Sequence, residues 1–269
     1  MTVFYWIYDI PNGLLAGLMC LVCLGYTWSG LLILRPWIRK WLGSEQGGEN
    51  EFVSYFLSAY GVFYGLMLGL IAVATYQNYS DVESKIAREV TSIAALYRDV
   101  SSYPEPARNN YRNHLRGYVH YVVEEAWPAQ QNGIVPMGGS MRVTRFQQDL
   151  FAFQPKTRSE EIVHAEAIRQ FNVFIESRVS GKQSVGASLP EELWYVVVIG
   201  AALNLALIWM FTIDRVSIHL ALSGILSLFV GLMLFFITAM DNPFRGTLSV
   251  SPEPFLMLLN STMNPQVAG

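Results

Sequence analysis

The chain has 269 residues, of which 52% are hydrophobic and only 14% are charged, and its formal net charge is −3. Soluble domains carry about 25% charged residues, so the composition excludes an ordinary soluble domain. The weak negative charge also argues against a nucleic-acid partner, which would require clustered basic residues.

Four apolar stretches carry the excess of hydrophobic residues, and none contains Asp, Glu, Lys or Arg: Gly13–Leu34, Phe52–Tyr76, Leu193–Ile213 and Val216–Met240. Each is about 20 residues or longer, which is enough to cross the hydrocarbon core of a membrane as a helix. The sequence therefore predicts an all-α membrane protein with four transmembrane helices embedded in a lipid bilayer.

The only two cysteines, Cys20 and Cys23, form a C-x-x-C motif inside the first apolar stretch. Such a pair can form a redox or metal site, but neither a histidine nor a second cysteine pair accompanies it. We therefore interpret both residues as small apolar side chains of a lipid-embedded helix.

The second apolar stretch carries two neighbouring lines of residues, each with a spacing of four, and it leads directly into a long polar helix. The first line consists of small residues, which let another helix approach closely in lipid: Gly61, Gly65 and Gly69. The second line is apolar: Val62, Leu66 and Leu70. In a ring of identical subunits, the glycines can pack on a neighbouring helix while the apolar line faces the central axis. The alternative is that the apolar line has no role in a pore, because any spanning helix shows such a line.

Beyond the second span the composition becomes that of a soluble helical domain, which we place at residues 81–192. Its apolar residues recur at intervals of three and four on four successive segments, which is typical of helices. On the fourth segment the predicted apolar stripe is Ile168, Phe171, Ile175 and Val179. No segment alternates with a period of two, so we predict a bundle of about four helices and essentially no strand.

The predicted organisation is two spans within residues 1–80, the helical domain, two further spans within residues 193–246 and a C-terminal tail at residues 247–269. Four spans place both termini and the helical domain on the same side of the membrane. The two short connections carry four basic residues: Arg35, Arg39, Lys40 and Arg215. Because such charges favour the cytoplasmic side, this count places the helical domain away from the cytoplasm.

Recognisable catalytic motifs are absent from the sequence, including G-x-S-x-G, the P-loop, H-E-x-x-H and the Gly-rich dinucleotide loop. His120 and Glu124 lie one helical turn apart and can share a metal ion, but a solvated helix face is the interpretation we favour. Glu124 and Glu125 precede Trp127 and can form an acidic cation site, although solvated acids beside a packed tryptophan are the simpler interpretation. We expect neither an enzyme nor a metal or other cofactor.

The absence of charge from the spans narrows the classes of membrane protein that fit. Proton pumps and many coupled transporters carry buried Asp, Glu, Lys or Arg along the substrate path, and these spans have none. A channel with an apolar constriction, which gates by dewetting, is compatible with the sequence. A purely structural bundle is compatible as well.

Three features together resemble the bestrophins, which carry an LGF-type motif in the second span and an NPFG motif after the fourth. One is the apolar segment Leu68–Val73, and another is the order of two spans, a helical domain and two spans. The third is the motif at the end of the fourth span: Asp241, Asn242, Pro243, Phe244 and Gly246. The resemblance is closer still to the bacterial bestrophin-like domain family, whose members share EVTSIAALYRDV, the EEAWP turn and SPEPF. It covers roughly residues 50–260.

The resemblance implies a homopentameric anion channel with chloride as the permeant ion. Bestrophins form their pore neck from three apolar residues, one helical turn apart, on the second span. Aligning Leu68-Gly69-Leu70 with the LGF motif implies a neck at Val62, Leu66 and Leu70. Bestrophins follow NPFG with acidic residues that help to clasp calcium, whereas here Gly246 is followed by TLSVSPEPF, so we predict no comparable calcium site.

We therefore predict a bestrophin-like, homo-oligomeric ion channel in the inner membrane of a bacterium. The bestrophin helical domain is cytosolic, whereas the basic residues favour the opposite orientation, so the two indications place the helical domain on opposite sides. The alternative function is a non-conducting membrane scaffold or sensor whose helical domain binds a ligand or a partner. The number of subunits in the purified particle distinguishes the two.

Overall fold

The computed structural model describes residues 5–41, 48–186, 188–211, 213 and 215–264, and no strand occurs among them. The α-helices are α1 (Asn12–Trp41), α2 (Gly48–Val100), α3 (Ala107–Tyr121), α4 (Trp127–Gln131), α5 (Gly138–Ala152), α6 (Arg158–Gln183), α7 (Glu191–Leu207), α8 (Val216–Asp241) and α9 (Glu253–Leu258). Short 3-10 helices lie at Tyr5–Asp9, Ser184–Gly186 and Ile208–Met210, and π-helical turns at Val122–Ala126 and Leu259–Met263.

Four helical segments of the described chain are long and apolar enough to cross a membrane: Asn12–Leu34, Glu51–Val100, Glu191–Met210 and Val216–Asp241. The second is the longest because α2 continues, without interruption and without a proline, from the apolar stretch into the polar one. Its 53 residues correspond to about 80 Å of helix. The predicted all-α membrane fold, with a helical domain between the second and third spans, is confirmed.

The chain divides into two compact units. The membrane unit comprises Met1–Asn78, Ser188–Asn242 and Gly246–Leu248. The helical unit comprises Tyr79–Ala187, Pro243–Arg245 and Ser249–Gly269. The residues after the fourth span are thus distributed between the two units, so each of them is described with the unit to which it belongs.

In the membrane unit, α1 packs chiefly on α8. A Cβ atom at Gly231 would lie 2.8 Å from the Cα atom of Cys20, so only glycine allows the two backbones to approach this closely. Near this contact the Ser227 hydroxyl donates a hydrogen bond of 2.8 Å to the Thr27 hydroxyl, and both residues are buried. Small residues and hydrogen bonds between helices are the means by which helices associate in lipid, where apolar surface alone gives little preference.

The core of the helical unit is rich in aromatic side chains from α3, α5 and α6. The sequence analysis predicted the wrong stripe on part of α6. Val179 is 45% exposed, whereas the buried residues of α6 are Ala167, Phe171, Phe174, Arg178 and Gly181. Arg178 thus lies in the core, where the buried Tyr118 hydroxyl accepts a hydrogen bond of 3.0 Å from its guanidinium.

The residues assigned to a C-terminal tail contribute to this core. Phe255 and Leu258 of α9, with Leu259 and Met263 of the following π-helical turn, are buried among residues of the helical unit. Arg116 donates a hydrogen bond of 2.6 Å to the carbonyl oxygen of Met263, which ties this segment to α3. The helical unit therefore includes a segment that follows the fourth span in sequence.

Candidate functional site

The second spanning helix buries one face against its own chain. Tyr64, Leu68, Ile71 and Thr75 are buried, and their spacing of three and four places them on a single face of α2. The Tyr64 hydroxyl donates a hydrogen bond of 2.9 Å to the carbonyl oxygen of Val197 on α7. These contacts fix the rotation of α2 about its own axis within the membrane unit.

The predicted pore line lies on the opposite face of α2. Val62, Leu66 and Leu70 are 61%, 62% and 72% exposed in the single chain. At about 100° per residue, the centre of this line is about 170° around the helix from the centre of the buried face. Phe63 and Val73 are also exposed and extend the same apolar face. The single chain therefore leaves the face with no intramolecular cover from its described residues.

The predicted packing line also has no partner within the described part of the chain. A Cβ atom at Gly61, Gly65 or Gly69 would meet nothing within 4 Å. Around the helix axis these glycines lie between the buried face and the pore line. The small residues are therefore not explained by packing within one subunit.

The motif at the end of the fourth span contains a buried carboxylate with three hydrogen-bond donors. Asp241 accepts hydrogen bonds from the Leu189 backbone N–H at 2.6 Å, the Trp194 indole N–H at 3.2 Å and the Tyr8 hydroxyl at 3.2 Å. A buried carboxylate requires such donors because burial removes its water. The donors come from before the first span and from the beginning of the third, so the carboxylate joins three distant parts of the membrane unit.

The remaining residues of the motif end α8 and turn the chain. Asn242 and Gly246 belong to the membrane unit, whereas Pro243 and Phe244 belong to the helical unit. The Pro243 carbonyl accepts a hydrogen bond of 2.7 Å from the Val250 N–H, and the Phe244 ring packs 5.4 Å from the Trp127 ring. Gly246 has a φ of +88°, a conformation that costs other residues roughly 1–2 kcal/mol.

The alternative sites considered from sequence lack the geometry for chemistry. Cys20 and Cys23 are free thiols, and the Cys20 sulfur lies 3.8 Å from the Leu228 carbonyl oxygen. His120 and Glu124 do pair, at 3.5 Å, on an exposed helix surface. Within the described residues no group of three or more His, Cys, Asp or Glu side chains is placed to hold a metal ion.

The two other histidines of the helical unit are held by protein partners. His114 Nε2 lies 2.9 Å from an Asp149 carboxylate oxygen. His164 Nδ1 lies 2.7 Å from the Tyr103 hydroxyl, and burial lowers the pKa of this histidine below its usual value. Burial also raises the pKa of Tyr103, so the phenol keeps its proton.

The fold and this site define an integral membrane protein with four spans, an uncharged second span and a polar cluster at the end of the fourth. A sequence model described as the Bestrophin-like domain matches residues 21–255, which is most of the chain. The chain therefore belongs to the Bestrophin-like family. No curated protein matches the sequence.

Solved structures with the same fold include several variants of a bacterial bestrophin homolog from Klebsiella pneumoniae. One variant is 11% identical with a TM-score of 0.66, and the match covers 94% of this chain and 99% of that one. Another is 14% identical with a TM-score of 0.62, covering 94% of this chain and 98% of that one. Similarity at this level of identity establishes a common fold over nearly the whole chain.

Proposed function

We propose that the protein is a homo-oligomeric ion channel whose pore is constricted by Val62, Leu66 and Leu70. The observation that carries the proposal is the exposure of this uncharged line on the face of α2 opposite to the one its own chain buries. A narrow apolar ring excludes water unless it widens, so it can gate an ion pathway without charged residues. Membership of the Bestrophin-like family supports the same function.

In an oligomer, the exposed faces of α2 can contact neighbouring subunits. The most apolar part of the second span has a smaller share of buried residues within the chain than the corresponding parts of the other three spans. If α2 lines a central axis, the glycine line at Gly61, Gly65 and Gly69 is available to a neighbouring subunit, which small residues favour in lipid. Resemblance to bestrophins favours five subunits.

Chloride is the permeant ion that the resemblance favours. The proposed constriction contains no charged side chain, so selectivity there would depend on the cost of dehydrating the ion and not on charge. We place the protein in a bacterial inner membrane, with both termini and the helical unit on one side.

Current recordings from the purified protein in planar bilayers test the proposal. Leu66→Ala and Leu70→Ala each remove a ring of isobutyl groups from the constriction, so both should raise the current severalfold. Leu21→Ala makes the same chemical change at an exposed position of α1 and should leave the current unchanged.

A silent bilayer, or currents that are indifferent to both α2 substitutions, would exclude the pore assignment. The mass of the purified particle separates the two functions further. A ring of subunits supports the channel, whereas a monomer or dimer supports a non-conducting scaffold or sensor.

A further inference from the structure

A cavity of about 40 Å³ lies within the helical unit, and the helices that line it include α2, α3, α4, α5, α6 and α9. One water molecule needs a cavity volume of roughly 10–15 Å³, so this cavity has room for two or three waters or for a small ion. All of its lining residues belong to the helical unit. It is therefore separate from the proposed pore line.

One wall of the cavity is a chain of buried hydrogen bonds. Arg178 Nε donates to the Tyr118 hydroxyl at 3.0 Å, and that hydroxyl donates to a Glu89 carboxylate oxygen at 2.6 Å. All three residues are more than nine-tenths buried. Burial, reinforced by the nearby carboxylate of Glu89, raises the pKa of Tyr118 well above its usual value, so the phenol keeps its proton.

A second cation lines the same cavity. Lys182 lies one helical turn beyond Arg178, and its amino group donates a hydrogen bond of 3.0 Å to the Ser140 hydroxyl. Burial and the neighbouring arginine lower the pKa of Lys182. With Glu89, Arg178 and Lys182 all ionised, the lining carries one positive charge in excess, which favours an anion in the cavity.

Two further polar groups line the cavity without a protein partner. Neither the Tyr121 hydroxyl nor the Trp127 indole nitrogen has a hydrogen-bond partner among the described residues, although both side chains are more than nine-tenths buried. An indole N–H is a donor only, so its partner must be an acceptor. Leaving such a group unpaired in the interior is unfavourable, so an occupant with acceptor atoms is favoured.

Adjacent glycines bring α5 close to these groups. A Cβ atom at Gly138 would lie 2.9 Å from the Tyr121 hydroxyl oxygen. At Gly139 it would lie 3.0 Å from a terminal guanidinium nitrogen of Arg178 and 3.0 Å from the Tyr121 ring. Side chains at these positions would crowd the polar groups that line the cavity.

We propose that this cavity binds a small monovalent anion, of the size of chloride or formate. The anion accepts hydrogen bonds from Tyr121 and Trp127 and neutralises the excess charge of Arg178 and Lys182. The proposal does not depend on ion conduction, because the site lies within the helical unit and its test measures binding.

Thermal unfolding of the full-length protein in detergent, at constant ionic strength, measures that binding. Sodium chloride and sodium formate are titrated separately against sodium gluconate, whose anion is too large for the cavity. A ligand that binds only the folded state stabilises it by RT ln(1 + [L]/Kd), so Tm rises with the logarithm of the ligand concentration once that concentration exceeds Kd. We expect such a rise with at least one of the two small anions.

Tyr121→Phe removes the phenol donor and keeps the ring, whereas Trp127→Phe removes the indole N–H and replaces the ring by a smaller one. In gluconate Tyr121→Phe should be at least as stable as the wild type, because it loses an unpaired buried polar group. Trp127→Phe should be less stable in gluconate, because the smaller ring leaves a gap in the core. Each should also weaken the apparent affinity for the small anion about tenfold, which corresponds to about 1.4 kcal/mol for a lost hydrogen bond. Gly139→Ala, which crowds the cavity without removing a donor, should weaken it as well.

Tyr111→Phe is the matched control. Its hydroxyl donates to the Asp149 carbonyl oxygen at 3.1 Å and does not line the cavity. This variant should lose stability equally in gluconate and in the small anions. The proposal is overturned if neither anion raises Tm above its value in gluconate, or if Tyr121→Phe and Trp127→Phe show the same rise as the wild type.

Discussion

Asp241 shows how one side chain can organise the end of a membrane helix. Its two carboxylate oxygens accept hydrogen bonds from a backbone N–H, an indole and a phenol. The donors of Leu189 and Trp194 lie at the beginning of the third span, whereas Tyr8 precedes the first. The carboxylate therefore stabilises the membrane unit by connecting the end of the fourth span to these two parts of the chain.

Asp241→Asn tests the importance of this cluster for stability. The amide has only one acceptor oxygen, so at least one buried donor then faces an NH₂ group and the substitution should cost about 1–3 kcal/mol. The expected result is a lower Tm for the detergent-solubilised protein, measured by the loss of its peak in size-exclusion chromatography after heating. Trp194→Phe, which removes a single donor, should have a smaller effect.

Asp81→Asn is the control for the same chemical change at the surface. Asp81 is 59% exposed and pairs with Lys85 one turn away, and such pairs contribute little to stability. Its Tm should stay within about a degree of the wild-type value. An Asp241→Asn protein as stable as this control would show that the hydrogen bonds to Asp241 are dispensable.

At the scale of elements, α2 combines three surfaces on one helix. One surface is buried by the chain, one consists of glycines with nothing near them, and one is an exposed apolar line. The hydrogen bond from Tyr64 to α7 fixes the rotation of α2 about its axis. It thereby determines which face of α2 the chain buries and which faces it leaves exposed. A surface of small residues that the chain leaves open is suited to close approach by another helix.

Gly65→Leu tests whether the glycine line is a contact between subunits. A leucine there would hold two helices apart, so we expect the oligomer to dissociate and the particle mass in detergent to fall. Gly65→Ala should weaken the oligomer less. Gly25→Leu places the same side chain at an equally open position of α1 and should leave the mass unchanged. A Gly65→Leu particle of wild-type mass would contradict the proposed interface.

The sequence predicts the helices of this protein better than it predicts their contacts. Length and lack of charge suffice to find the spans, and spacing suffices to show that Val62, Leu66 and Leu70 share a face. The apolar pattern of α6 fails at Val179 because Arg178 is buried by partners on α2 and α3, which no local pattern encodes. The donors to Asp241 were missed for the same reason, since Tyr8 and Leu189 are close to it only in the folded chain.

At the scale of the whole molecule, an even number of spans has a consequence for topology. Both termini and the segment between the second and third spans must then share one side of the membrane. The segment after the fourth span contributes buried residues to the helical unit. A label at the C-terminus therefore shows on which side of the membrane the helical unit lies.

Reporter fusions test this arrangement. Green fluorescent protein, which fluoresces in the cytoplasm, and alkaline phosphatase, which is active outside it, are fused in turn to each terminus. We expect the two termini to respond alike. Fluorescence at both would place the helical unit in the cytoplasm, as the bestrophin resemblance implies, whereas phosphatase activity at both would follow the basic residues. Opposite responses would exclude four spans.

The pairing of α1 with α8 also has a consequence for biogenesis. Of the four spans, the first to be synthesised has its main partner in the fourth, so it waits in the membrane until α8 has been synthesised. At about 5–20 residues per second, the roughly 170 residues between Trp41 and Val216 take on the order of 10–35 s. During that interval the Thr27 hydroxyl is not left without an acceptor in lipid, because it donates to the Cys23 carbonyl oxygen of its own helix, at 2.9 Å. Ser227 can do the same with Ser223, at 2.8 Å, until the two helices meet.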